Sequence, residues 1–317
     1  MKVLLTGPFG NIGTSAIPEL LEQGHTVRTF DIPTTENRSA SRKYRDRIET
    51  VRGDIRVPED VIEAVRDREI VIHLAAIIPP KSDADPDLAQ AVNVGGTTNV
   101  IRALEQAASG ARLIHASSLA LFGKTQDRPP PRTVDDPIVP TDPYTHHKAE
   151  CETRIRASGL TWAILRFGAV LSVNALSQID PIMFEVPLGD RIEFVHTRDV
   201  GLALANAVSS TEIWGKTLLI GGGPRCQLYQ REIIQRSCES LGIGMLPDSA
   251  FTTTPYHTDW LDTAESQRLL RYQRLTLDDY VRDVVARVGS RRVFIKLLRP
   301  LVRRRLLALS PYYGRQR

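Results

Sequence analysis

Lys2-Val3-Leu4-Leu5-Thr6-Gly7-Pro8-Phe9-Gly10-Asn11-Ile12-Gly13 decides the fold. Residues 2–6 read as a buried strand, and 12–23 as a helix that follows it after a short glycine-spaced turn. In such a turn the first glycine removes a side chain from the strand-to-helix connection. Gly10 lets the backbone approach a pyrophosphate, and Gly13 lets the helix pack closely. Phosphates then lie at the positive end of the helix that begins near Asn11 and Ile12. The spacing is Gly-x-x-Gly-x-x-Gly, not the commoner Gly-x-Gly-x-x-Gly.

Working outward, Thr26 to Phe30, Ile48 to Val51 and Ile70 to Leu74 read as further strands. Residues 88–108 carry a long helical period, Arg112 to Ala116 a fifth strand, Tyr144 to Ala157 a helix and Thr161 to Leu165 a sixth strand. Strands alternating with helices predict an α/β protein with a Rossmann-type, doubly wound parallel sheet. Asp127 to Pro143 is a proline-rich irregular loop. Beyond Arg166, short strands near Ile192 to Val195 and Lys216 to Ile220 suit a smaller, interleaved C-terminal substrate domain. The predicted division is 1–167 as the dinucleotide-binding unit, with 194–221 returning to it. Residues 168–193 and 222–289 form the substrate-binding part, Asp278 to Val288 being the last body helix, and 290–317 form a basic amphipathic tail.

Asp31 ends the second strand, eighteen residues past Gly13. A carboxylate there accepts hydrogen bonds from ribose hydroxyls and repels a 2′-phosphate, so NAD is favoured over NADP. Arg28 and Arg38 lie nearby and argue the other way. Further along stand Ser117-Ser118 and Tyr144-Thr145-His146-His147-Lys148. A tyrosine is a poor base, with a pKa near 10. A lysine one helical turn away and an oxidised nicotinamide both favour its phenolate. His146 and His147 are expected to point away from the Tyr144–Lys148 face, partly exposed and without a catalytic role.

Together these motifs make the chain similar to the extended short-chain dehydrogenase/reductases, also called the NAD-dependent epimerase/dehydratase family. The resemblance covers about residues 1–285. It adds Asp54-Ile55 as an adenine-contacting pair, and His73-Leu74-Ala75-Ala76 as the segment that closes the fourth strand beside the cofactor. It adds Asn93-Val94-Gly95-Gly96-Thr97 at the start of the long helix, and Phe194-Val195-His196-Thr197-Arg198-Asp199-Val200. It implies Ser118, Tyr144 and Lys148 as catalytic residues, with Lys148 also on the nicotinamide ribose and Ser117 structural. The implied cofactor is NAD and the partner a small-molecule substrate.

The resemblance also sorts reactions. The family's dehydratases carry an acidic pair after the catalytic hydroxyl, where this chain has Leu119 and Ala120. Its UDP-sugar 4-epimerases keep an Asn after the sixth strand and an Arg before the Phe-Val-His-like segment. Here the chain has Arg166-Phe167-Gly168-Ala169-Val170 and Ile192, with Arg191 one residue off and facing the other way. A diphosphate without cationic partners loses charge-assisted bonds worth roughly 1.5–3 kcal/mol each, although Arg225 offers a substitute. The expectation is a simple NAD-dependent alcohol/ketone oxidoreductase. A nucleotide-sugar 4-epimerase is the alternative and a non-catalytic NAD-sensing or assembly protein the third reading.

The charge of +4 hides an asymmetry. From Val284 to Arg317 there are ten Lys or Arg and no Asp or Glu, which leaves 31 basic against 37 acidic residues, or −6, on the body. The basic balance therefore belongs to a tail, and nucleic acid is not an expected partner. Within 293–309 a helical projection gathers Phe294, Leu297, Leu298, Leu301, Val302 and Leu309 against Lys296, Arg299 and Arg303. That pattern suits an anionic membrane surface. Pro300 and Arg305 oppose it, and packing on the body or in a homodimer is the alternative. Cys151, Cys226 and Cys238 show no metal-ligand or disulfide pattern, so no metal is implied. With no signal-like start and no 18-residue uncharged apolar run, the expected place is the cytoplasm, with peripheral membrane contact through the tail.

Overall fold

The computed structural model describes residues 1–107, 110–173 and 181–314. Residues 174–180 of the expected substrate part and 315–317 of the tail lie outside them. The strands are β1 (Lys2–Thr6), β2 (Thr26–Asp31), β3 (Ile48–Arg52), β4 (Ile70–His73), β5 (Arg112–Ser118) and β6 (Trp162–Phe167). They are followed by β7 (Ala169–Leu171), β8 (Arg191–His196), β9 (Thr217–Ile220) and β10 (Gln227–Tyr229). Seven of them make a parallel sheet in the order β3-β2-β1-β4-β5-β6-β9; the other three make a small sheet, β10-β8-β7.

The central strands are apolar at successive positions because helices cover both faces. Val3, Leu4 and Leu5, like Ile70, Val71 and Ile72, are wholly buried. On one face lie the helices Gly13–Glu22 and Thr197–Ser209, through Ala16, Ile17 and Leu20 against Val200, Ala203 and Leu204. On the other lie Pro58–Val65, Gly96–Ala107 and Pro143–Ala157, through Val61, Val100, Leu104 and Ile155. Strand order runs outward from β1 to β3, then restarts at β4 on the other side of β1. The crevice past the ends of β1 and β4 is the switch point at which open α/β sheets bind ligands.

The 88–108 period is helical to Ala107, with residue 108 outside the described residues: Pro86–Gln90, a π-type turn Ala91–Gly95 and Gly96–Ala107 run on without a break. Two expectations need correction. Of the stretch 194–221, β9 and the helix Thr197–Ser209 belong to the large sheet, but Phe194–His196 pairs with β7 in the small one. Leu277–Val288 is not the last packed helix, because Arg291–Leu297 and Arg299–Leu307 follow, and Leu306 is buried in the core under the small sheet. Among the described residues no helix is long and apolar enough to cross a membrane.

Candidate active site

The glycine loop leaves β1 at the switch point. Gly7 has φ +63°, and a Cβ there would stand 2.8 Å from Ala75 Cα, so only glycine lets this turn lie against the loop after β4. That loop is drawn in by Leu74 N–H to the Thr6 carbonyl, at 3.3 Å, and Ala75 N–H to Thr6 Oγ1, at 3.2 Å. Gly13 packs on Pro8 of its own loop rather than on the strand. At Gly10 a Cβ would meet only the Gly7 carbonyl, at 3.6 Å, so this side of the loop is open. The backbone N–H groups of Asn11, Ile12 and Gly13 have no partner among the described residues. An open cradle of unpaired donors at a helix start fits a pyrophosphate. The Asn11 side chain is engaged elsewhere, donating to the Val170 carbonyl of β7 at 3.0 Å.

Asp31, at the end of β2, lines a small recess with Phe9, Asn37, Arg38 and Arg52. Burial raises its pKa, against the pull of the Ile32 N–H, at 2.9 Å, and of the Asn37 side chain. Arg28 is removed as a phosphate partner. It is buried, spends its guanidinium on the carbonyls of Glu63, Ala64 and Arg66, and pairs with Glu49 at 2.8 Å. Arg38 remains beside Asp31.

The remaining expected contacts differ in character. Asp54 is gripped by Arg56, which lowers its pKa. Ile55 is buried, with its carbonyl held by Asn99 at 2.9 Å. Ala76 lies between Ala75 and the clamped Ile77. Asn93 is a clamp: its side chain accepts from Ile77 N–H at 2.7 Å and donates to the Ile77 carbonyl at 2.8 Å. The motif reading missed how Asn93 connects to Thr6. Thr97 Oγ1 donates to the Asn93 carbonyl at 2.6 Å, so it accepts from His73 Nε2, at 3.0 Å; His73 Nδ1 then accepts a hydrogen bond from the Thr6 hydroxyl, at 2.8 Å. Burial, with the Lys148 charge, lowers the His73 pKa to about 3, which keeps the ring neutral. This chain locks the loops after β1 and β4 to the turn that opens the long helix.

Tyr144 and Lys148 lie on the first turns of the helix Pro143–Ala157. Asp142 caps it, accepting from Thr145 N–H at 2.9 Å while Thr145 Oγ1 accepts from Asp142 N–H at 3.0 Å. Ser118, at the end of β5, hydrogen-bonds the Tyr144 phenol and accepts from Ala120 N–H at 3.1 Å. The Lys148 ammonium sits 5.9 Å from the Tyr144 ring centre and donates to the Ala116 carbonyl at 2.6 Å. Ser118, Tyr144 and Lys148 are thus brought together. The phenol is pushed up to about 12 by burial, against the Ser118 bond, and burial also lowers the Lys148 pKa. The lysine alone therefore leaves the phenol protonated. His146 is exposed as expected, but His147 is buried and faces the Asn93 amide, at 3.4 Å.

A buried ion pair holds the other end of this helix. Glu152 receives Arg166 Nε and Nη2 at 2.9 and 2.8 Å, Arg156 Nη2 at 2.7 Å and the Ser117 hydroxyl at 2.6 Å. Ser117 is structural, as read. Arg166, which the sequence offered only as a neighbour of a missing Asn, is the partner that fixes the helix to β6. Leu119 and Ala120 are buried.

The profile of the NAD dependent epimerase/dehydratase family matches residues 3–181. The chain belongs to that family. It is 31% identical over 182 residues to a UDP-glucose 4-epimerase of Lactobacillus helveticus, covering 55% of this chain and 53% of that one. It is 34% identical over 128 residues to a 3-beta-hydroxysteroid dehydrogenase of Mycolicibacterium neoaurum, covering 38% and 33%. The matches therefore span about half or less of these relatives. The structure is similar in fold to UDP-glucuronic acid 4-epimerase from Bacillus cereus in complex with UDP-glucuronic acid and NAD, with a TM-score of 0.76, 21% identity, and 94% and 100% of the two chains covered.

Proposed function

We propose that this chain interconverts a secondary alcohol and a ketone by hydride transfer with NAD, and uses that cycle to epimerise a carbinol carbon of a nucleotide-linked sugar. The juxtaposition of Ser118, Tyr144 and Lys148 beside the open glycine loop carries the chemistry. The Asn11–Gly13 N–H groups would hold the pyrophosphate and Asp31 the adenosine ribose, with NADP disfavoured. Asp54, Ile55, Leu74, Ala75, Ala76 and Asn93 would form the wall around the dinucleotide. NAD held there would supply a hydride acceptor and a positive charge that favours the phenolate. Ser118 orients the substrate hydroxyl, Tyr144 takes its proton, and Lys148 stabilises the phenolate and holds the nicotinamide ribose. On the return step the hydride would go back to the opposite face of the ketone, which inverts the carbon, while Tyr144 gives the proton back. The UDP-sugar epimerases among its relatives and fold neighbours support the sugar assignment. Elimination is disfavoured, since buried Leu119 and Ala120 supply neither acid nor base.

One observation favours a second reading, net oxidation or reduction. Arg191 is committed to Asp259, at 2.6 Å, and to the carbonyls of Thr125 and Arg128, so it is not free for a diphosphate. Incubation with UDP-glucose and NAD separates the two. Epimerisation gives UDP-galactose with no accumulation of NADH, whereas NADH formed in step with a keto product supports the second reading. Tyr144→Phe should retain NAD binding and lower turnover by about two to four orders of magnitude. Wild-type turnover in that variant overturns the proton-transfer role.

A further inference from the structure

The tail is built onto the body and still leaves an apolar face uncovered. Its inner side is Leu306, buried, with Val302 and Leu307 half-buried against the small-sheet core. Arg303 Nη1 donates to the carbonyls of Ile243, Gly244 and Met245 at 3.0, 3.0 and 2.8 Å, Arg299 Nε to Ile243 at 3.0 Å, and Ser310 Oγ to Ala250 at 2.6 Å. The expected amphipathic face is therefore redrawn, because Val302 turns inward and Arg299 and Arg303 serve the body. Pro300 breaks the segment into two helices at Leu298.

On the outer side Phe294, Leu297 and Leu301 are 63%, 76% and 63% exposed. Phe294 and Leu297 share a face of the first tail helix, and Leu301 stands on the first turn of the second. Arg291, Arg304 and Arg305 are exposed beside them, whereas Lys296 lays its stem over Gly242 of the body. Among the described residues no Lys or Arg from 284 to 314 forms an ion pair. An exposed apolar patch rimmed by unpaired cations marks an interaction surface.

We propose that this face docks on an anionic lipid bilayer, with Phe294, Leu297 and Leu301 entering the acyl boundary and Arg291, Arg304 and Arg305 meeting lipid phosphates. Charge selects the occupant. A second copy related by a two-fold axis would bring the same cations against one another, whereas a negatively charged surface neutralises all of them at once. Because Arg303 and Ser310 fix the tail to the body, docking would orient the whole molecule on the membrane.

The test is co-sedimentation of the full chain with phosphatidylcholine vesicles with and without phosphatidylglycerol. Binding is expected only with the anionic vesicles, weakened by high salt. The combined Phe294→Ser, Leu297→Ser and Leu301→Ser variant, whose exposed sites leave the thermal melt unchanged, should lower partitioning by about tenfold or more. Arg304→Glu with Arg305→Glu should act in the same direction. A wild-type chain that stays in the supernatant with anionic vesicles, or serine variants that sediment like it, overturns the proposal. So does a lipid-free dimer, seen by sedimentation equilibrium, that the serine variant dissociates, since the face would then belong to a second copy.

Discussion

Two wholly buried carboxylates, Glu152 and Glu193, hold the two halves of the molecule by opposite means. Under the Tyr144 helix, burial would raise the Glu152 pKa, but the bonds and charge of Arg166, with Ser117 and Arg156, outweigh it and the net shift is down. In the small sheet Glu193 forms no ion pair among the described residues. It accepts from Gly223 N–H at 2.8 Å and Leu261 N–H at 3.2 Å, and burial lifts it to about 7. At Glu193 the two backbone donors and the Gln227 side chain do not offset the desolvation, whereas at Glu152 the bonds and charge of the guanidinium do. The candidate catalytic helix is thus fixed to β6 by a charged lock whose strength persists at neutral pH. The small sheet is joined to the 221–223 and 261 segments by a carboxyl that titrates where enzymes work.

The contrast is broken most directly at Glu152. Glu152→Ala leaves Arg166 buried and unpaired, and the expected loss is about 3–5 kcal/mol in denaturant unfolding. A loss no larger than that of Glu193→Ala would erase the distinction. A smaller effect separates the two by pH. The raised Glu193 pKa keeps a proton in the folded state after the unfolded chain has lost it. Its contribution is therefore complete below the ordinary carboxylate value and is lost as pH rises through about 7, by at most roughly 3 kcal/mol. Glu152 has the opposite sign: its contribution is present above the ordinary carboxylate value and lost on acidification. Glu193→Gln should flatten the fall in stability between acidic and neutral pH; a melt profile with the wild-type slope would place the titration elsewhere. The smallest effect tests Asp31, a carboxylate raised by burial but open to a ligand. Asp31→Ala should narrow the preference for NAD over NADP by about tenfold in calorimetric titration, or roughly 1.4 kcal/mol. Tighter NADP binding by the unmodified chain would mean that Arg38 prevails.

The β1–helix unit and the placement of Ser118, Tyr144 and Lys148 were legible because each rests on local rules. A buried strand needs successive apolar residues, a turn against a neighbouring loop needs Gly7, and a residue four places along a helix shares its face. The strand order was legible only as a class, since periodicity says which segments are strands and not which edge they join. That is why Phe194–His196 was assigned to the wrong sheet.

Other assignments depended on neighbours far away in the chain. Arg28 looked available to a phosphate until the carbonyls at 63–66 and Glu49 were folded around it. Arg191 was read as facing away from the place of the family's Arg, but its partner, Asp259, stands 68 residues on and was not legible. Asn93 and His73 matched motifs, yet their shared hydrogen-bond chain through Thr97 exists only once β1, β4 and the long helix meet. Composition by itself determined that the tail is cationic and amphipathic. Which of its faces is covered was decided by the carbonyls at 243–245, because a guanidinium goes where unpaired acceptors converge, and convergence is a property of the folded chain.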